Sequence, residues 1–408
     1  MEHKIKYQYS YFIYPYVIDE NKYDKYLLQL IKNKNCRLRF FQKEKELNIY
    51  THFLPKVREY LFWSFGLSKQ KIKKFETMDK TLQAGILAKY PCNIFQYDIK
   101  DNIQGKIGQE GNGIFFDIRK IEIICFQSGI CFMVFKTTLE GESHLSDVLN
   151  FNYKFRDIQS SFHGWKPYEN IKIQTGAFKD VEEFSSLIKE IAGNNAGAKE
   201  LNIDKERFIT YSYACLDHSS WNRENVQNLQ KEFYQYMNVL PADIQTDYIL
   251  DEETPRYIEQ KEAQYGFSEI ATVLATSDDN TENYTKLPFA YENEHLYTYI
   301  FELYKQYYLR KLNLEFKRKQ NFKECKNKFI KFTQNLGIQN VTNDALGNQF
   351  IVRWQEILKT EETFLKMKNK YDILSKEYNI ATTAKTNIAI VVLLLSILIV
   401  NFVRLLYM

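Results

Sequence analysis

From Ile388 to Val403 the chain reads IAIVVLLLSILIVNFV, sixteen residues without a charge. Extended through Leu405 to Met408, a helix over this run reaches about 31 Å at ~1.5 Å per residue, which matches a hydrocarbon core of roughly 30 Å. A helix apolar all round has no amphipathic face to turn toward a soluble core. The run therefore predicts one transmembrane helix over residues 387–408; the alternatives are a buried core helix or a shallow, re-entrant one. Arg404 sits near the far end, where its stem can snorkel to the interface beside Tyr407. Lys366, Lys368, Lys370, Lys376 and Lys385 precede the run and Arg404 alone follows it, so the positive-inside rule places the bulk of the chain in the cytoplasm.

Asn387 and Asn401 are fourteen residues apart and return to nearly the same face of the helix, with Arg404 one turn further on that side. Polar groups at membrane depth face a partner helix or a wet cavity. These three are thus candidates for a pore lining or a helix interface; the plainer reading makes Asn387 and Arg404 interfacial and Asn401 a tolerated polar residue. One span cannot enclose a pore, so any channel role requires self-association.

Upstream, Leu296, Ile300, Leu303, Tyr307 and Leu314 form a helical seam. After a one-residue slip it resumes at Phe322, Cys325, Phe329, Phe332 and Leu336, ending at Gly337. Thr342-Asn343-Asp344 offers a cap for a second helix, in which Phe350, Ile357, Phe364, Tyr371 and Tyr378 recur every seven residues. A short connection predicts antiparallel neighbours: a helical hairpin stalk over 290–386 whose second arm enters the bilayer. Between Lys305 and Lys331 there are ten Lys or Arg against Glu315 and Glu324. Arg310, Lys311, Lys317, Arg318 and Lys319 are accordingly candidates for an anionic partner, or for a solvated outer face.

Residues 1–285 alternate between strand-like and helix-like runs. Strands are expected at Tyr7–Ile18, Cys36–Gln42, Asn93–Ile99, Ile114–Phe126, Ile130–Thr137, Ile171–Thr175 and Phe208–Cys215. Helices are expected at Tyr23–Lys32, Glu44–Phe65, Lys80–Lys89, Leu145–Phe155, Val181–Ala192 and Glu224–Met237. Gln127-Ser128-Gly129 separates two apolar runs, so 114–137 reads as an antiparallel hairpin. The fold class is an α+β soluble head, a long helical hairpin stalk and one C-terminal transmembrane helix. The polar stretch 276–283 marks the junction between head and stalk.

The composition, 45% hydrophobic and 16% aromatic, is that of a globular chain. A formal charge of +4 is too small for nucleic-acid binding by the whole protein. The N-terminus has no apolar secretory core, and six cysteines without a C-x-x-C pair fit free thiols in a reducing compartment. Gly105, Gly108, Gly111 and Gly113 lack a following Lys-Ser/Thr and lead into a strand, so a mobile loop is expected there rather than a phosphate loop. Cys215-Leu-Asp-His-Ser-Ser220 holds every side chain of a nucleophilic triad, but neighbours in sequence lack triad geometry. His163-Gly164-Trp165 reads as a packed loop corner and Asp251-Glu252-Glu253 as a solvated loop. The histidines are isolated, so no metal site, no catalytic residue and no resident cofactor are expected.

Three strings carry a resemblance: Phe126-Gln-Ser-Gly-Ile130, Leu145-Ser-Asp-Val-Leu-Asn-Phe-Asn-Tyr153 and Val341-Thr-Asn-Asp-Ala-Leu-Gly347. With the order of head, paired helices and final apolar helix, the chain resembles CorA-type divalent-cation transporters. More specifically, it is similar to the divergent CorA-like membrane effectors associated with bacterial type III CRISPR defence. It departs from the transporters in having one span and no Gly-Met-Asn motif, so magnesium selectivity is not carried over. The resemblance implies a homo-oligomer, with a pentamer as the model, in the inner (plasma) membrane. It also implies a head that senses a nucleotide-type second messenger and a membrane part that opens or disrupts the bilayer in antiviral defence. The alternative is a tail-anchored adaptor that recruits partners to the membrane without a pore.

Overall fold

The computed structural model describes residues 3–99, 103–107, 113–157, 172–174, 181–193, 195, 197–221, 229–244, 257–260, 263–317, 322–335 and 341–406. Its centre is one mixed sheet of eleven strands. These are β1 (Ile5–Val17), β2 (Cys36–Leu38), β3 (Cys92–Tyr97), β4 (Ile103–Ile107), β5 (Ile114–Phe126), β6 (Ile130–Leu139), β7 (Lys172–Gln174), β8 (Ile209–Leu216), β9 (Tyr257–Gln260), β10 (Ala263–Phe267) and β11 (Ala271–Ser277). Their spatial order is β2-β3-β5-β6-β1-β8-β11-β10-β9, with β4 beside β5 and β7 beside β4. All pairings are antiparallel except β8 with β11.

The expected hairpin at 114–137 forms as β5 and β6, turning at Gly129. That glycine has φ of 82°, and a Cβ there would lie 2.4 Å from the Ile18 carbonyl oxygen, so no side chain is accommodated. β1 takes the middle of the sheet, pairing Ser10 with Thr137 of β6 on one side and Ser212 of β8 on the other. From Gln8 to Tyr16, β1 is buried on both faces and shows continuous burial instead of alternation.

One face packs under helices α1 (Tyr23–Lys32), α2 (Leu47–His52), α3 (Pro55–Leu61), α4 (Lys69–Glu76), α5 (Lys80–Leu87), α6 (Leu145–Arg156), α7 (Val181–Ala192) and α8 (Gln230–Met237) only in part. It is α1, α4, α5, α6, α7 and α8 that share its core, through Leu27, Phe75, Leu87, Phe151, Phe184 and Phe233 with Phe12 and Phe135 of the strands. The helix expected at Glu44–Phe65 is divided into α2 and α3. Pro55 starts the second, and the break between them pairs outward, with the Leu54 amide donating to the Val341 carbonyl at 3.0 Å. Gly105 lies within β4 instead of a loop, against the Phe116 ring; Gly108 and Gly111 are outside the described residues.

The other face carries a layer of tyrosines covered by α9 (Lys286–Ala290), a π turn at Tyr291–His295, α10 (Leu296–Lys317) and a later helix. After α11 (Phe322–Asn335), that helix is α12 (Ala345–Ile357), and α13 (Thr360–Leu406) ends the chain. Phe350 and Trp354 of α12 pack on Phe267, and the Trp354 indole N–H donates to Thr272 Oγ1 at 3.0 Å.

The chain divides into two compact units: Met1–Tyr308 with Ile338–Leu358, and Leu309–Gly337 with Lys359–Met408. The stretch expected as two long stalk helices over 290–386 is therefore four helices. The first part of α10 and all of α12 belong to the sheet-containing head rather than to a stalk. The heptad from Phe350 to Tyr378 reads through Leu358-Lys359, but Lys359 takes φ of 55° and separates α12 from α13. Asp344 caps α12 as expected, accepting from the Gly347 amide at 2.6 Å.

In the second unit, α11 runs antiparallel to the end of α10 and to α13. Phe316 meets Phe329, Lys328 pairs with Glu315 at 3.2 Å, and Phe322, Phe329 and Phe332 meet Tyr378, Tyr371 and Phe364 in turn. The one-residue slip in the expected first arm thus separates two helices that lie side by side. Leu336 and Gly337 lie outside the described residues.

Candidate functional site

α13 is the one described helix long and apolar enough to cross a membrane. Its first turns are held by packing: Met367 is fully buried, and Phe364, Tyr371 and Tyr378 face α10 and α11. Beyond them the apolar side chains from Ile388 to Val400 are all exposed. Asn387 and Asn401 are exposed on this helix too, and Arg404 lies within its last turn.

The basic candidates do not gather into one described patch. Arg310 and Lys311 are half-buried on α10, Lys317 ends that helix, and Arg318 and Lys319 lie outside the described residues. Two other cations of the same stretch are paired internally, Lys305 with Glu302 at 2.5 Å and Lys328 with Glu315. Glu315 and Phe316 of α10, Phe322 and Cys325 of α11, and Leu374, Glu377 and Tyr378 of α13 line a cavity of about 260 Å³ in the second unit.

In the head, a layer of charge lies between the sheet and the start of α10. Glu122 of β5 accepts from Arg39 Nη1 at 2.6 Å and from the Tyr297 hydroxyl at 3.1 Å, and Lys120 Nζ stands 3.2 Å away. Burial pushes the Glu122 carboxyl up, but Lys120 and Arg39 outweigh it and leave it below its ordinary value. One turn earlier, Glu292 takes Lys136 Nζ at 2.6 Å and the Tyr11 hydroxyl at 2.5 Å. Tyrosine hydroxyls of β1 and β8 complete the layer: Tyr9 donates to the Pro288 carbonyl at 2.6 Å and Tyr211 to the Tyr291 carbonyl at 2.7 Å. Such paired, desolvated groups fix a helix on a sheet; they offer no free acid, base or nucleophile.

Beside them His295 is fully buried against Phe350, 5.5 Å from the His52 ring centroid. Burial and, second, His52 push it down to about 3, so it stays neutral at physiological pH. Sequence reasoning missed this layer, although Glu122 within Ile121-Glu-Ile-Ile124 was a usable signal. A carboxylate in the middle of an apolar strand is buried and must be paired.

The Cys215–Ser220 segment lies where the parallel strands β8 and β11 end. His218 Nδ1 stands 2.9 Å from Asp278 Oδ1, and Ser219 Oγ donates to Asp217 at 2.5 Å. The serine hydroxyl is thus bound to a carboxylate, which is not the arrangement of a nucleophile and its base. The hydrogen bond to Asp278 raises His218, and the bond from Ser219 lowers Asp217. Ligand atoms of Asp217, His218 and Asp278 lie within 4.8 Å of one another, a spacing that one cation would span. A metal there would compete with the hydrogen bonds these oxygens already accept from Ser219 and His218. The Asp278 partner, distant in sequence, had no local signal. His163-Gly164-Trp165 and Asp251-Glu252-Glu253 lie outside the described residues. None of the cysteines forms a disulfide.

No protein-family model matches the chain, and no curated protein or solved structure is similar to it.

Proposed function

We propose that the protein is a membrane-anchored, oligomeric effector. α13 crosses the inner membrane once, the head stays in the cytoplasm on the lysine-rich side, and a small anionic signal, of the nucleotide type, acts on the head. Several copies pool their anchor helices and permeabilise the bilayer. The observation that carries this reading is the continuous exposure of apolar side chains along α13 from Ile388 to Val400, which water would penalise by about 25 cal/mol per Å². Two asparagines on that helix, Asn387 and Asn401, supply polar groups for association in lipid.

The test is induction in cells carrying a potential-sensitive dye, alongside dye release from liposomes holding the purified protein. Depolarisation and release that vanish when residues 387–406 are replaced by an unrelated apolar span support the effector. No change in potential and no release would overturn it.

The adaptor reading is favoured by a different observation. The head is a complete sheet with both faces covered, able to present a rigid surface from a single anchor. Recruitment of partners that survives the anchor replacement would select it.

A further inference from the structure

α13 has two stripes on opposite sides. The first, Phe364, Tyr371 and Tyr378, packs against α10 and α11 within the same chain, with Phe364 and Tyr371 half-buried and Tyr378 at the exposed end of the contact. Two residues on, about 200° around the helix, runs the second: Ile373, Ile380, Asn387, Leu394 and Asn401, each seven residues from the last. All five are exposed, Ile373 at 59% and Ile380 at 71%.

The polarity of this stripe is inverted with respect to its surroundings. Before the apolar run, where the neighbouring positions are Lys, Glu and Asn and the medium is water, the stripe presents isoleucine. At the edge of the run and near its far end, where the proposed medium turns to lipid, it presents Asn387 and Asn401, with Leu394 between them. Isoleucine in water and asparagine in lipid are each unfavourable, and one kind of neighbour relieves both: another protein helix. Copies of this chain that insert from the same side carry the stripe at the same depths. Isoleucine then meets isoleucine, and the two amides of Asn401 can hydrogen-bond across a parallel seam.

We propose that Ile373, Ile380, Asn387, Leu394 and Asn401 form the seam by which α13 pairs, in parallel, with α13 of a second copy of this chain. The seam deepens the reading of α13 as a membrane anchor and rests on it.

The experiment uses the full chain in native membranes. Ile373→Cys and Ile380→Cys are compared under mild oxidation with Thr382→Cys, on the opposite face and also exposed, and with the unsubstituted chain. Alkaline carbonate extraction is run on the same samples. The seam requires integral protein in which both isoleucine positions give a disulfide-linked dimer, while Thr382→Cys stays at the level of the unsubstituted chain. Integral protein that crosslinks equally at all three positions, or best at Thr382→Cys, overturns the seam and leaves the anchor standing. Protein released by carbonate overturns the anchor, and the seam falls with it. In liposomes, Asn401→Leu should weaken energy transfer between labelled copies, raising the dissociation constant roughly tenfold; an unchanged constant removes Asn401 from the seam.

Discussion

The two units of the chain treat their apolar side chains in opposite ways. The head encloses them: both faces of its sheet are covered, and the hydroxyls of Tyr9, Tyr11 and Tyr211 end on carbonyls and a carboxylate. The second unit covers one side of α13 with α10 and α11 and leaves the remaining apolar side chains exposed. The same physical rule, that apolar surface leaves water, accounts for both outcomes when α13 is the membrane anchor proposed above. A folded head gains by pairing the polar groups it buries, whereas a helix has its backbone satisfied internally and, as the proposed anchor, can present Leu and Val all round.

That contrast can be broken by testing what each unit tolerates. The largest effect is expected at Trp354, buried among Phe350, Phe267 and Tyr299. Trp354→Ala should lower the unfolding free energy of the detergent-solubilised chain by about 3–5 kcal/mol, read from a denaturant midpoint. A loss below about 1 kcal/mol would show that α12 is not part of the head's core. Glu122→Leu leaves Arg39 and Lys120 without their buried carboxylate and should cost about 3 kcal/mol; adding Arg39→Met should recover a good part of it.

The converse holds for Leu394→Arg. It should reduce the carbonate-resistant fraction by the equivalent of about 2.5–3 kcal/mol while leaving the head's melting unchanged. A fall in the head's stability of the same size would merge the two units into one.

The smallest expected effect is a pH dependence from His295. Its folded value is depressed to about 3, so below its ordinary value near 6.5 the unfolded chain binds the extra proton. Stability should be full above that value and decline as pH falls toward 3. The loss should reach about 2 kcal/mol by pH 5, at about 1.4 kcal/mol per unit. His295→Leu should flatten that part of the profile in thermal melts taken from pH 7 to pH 5, and an unaltered slope would assign it elsewhere.

What could be read from the sequence was what repeats locally. α7 has its expected bounds, β5 and β6 their hairpin, and α13 its apolar run, because each is announced by its own residues. β10 and β11 were missed because they are buried throughout, so Ala271-Thr-Val-Leu-Ala-Thr-Ser277 carries no alternation. The parallel pairing of β11 with β8 depends on contacts some sixty residues away, as in Thr210 with Ala271. α12 and α13 merged in the sequence because their heptads stay in phase. The break lies in the backbone of Lys359, a residue type that gives no warning of positive φ. Of the site residues, Asn387 and Asn401 lie on a helix that the sequence announced. The charge layer of Arg39, Glu122, Lys136 and Glu292 joins four separate segments and is visible only once they meet.

The central place of β1 also sets a timetable. Ser10 finds its neighbour Ser212 across 202 residues of chain, so at a synthesis rate of roughly 5–20 residues per second this strand waits about 10–40 s for its second edge to be filled. Throughout that interval a segment reading Tyr-Phe-Ile-Tyr has an open edge in a crowded cell, the condition under which strands find the wrong partner. Closing the sheet around β1 thus waits on the synthesis of β8, and until then the nascent head carries an open strand edge of the kind chaperones shield.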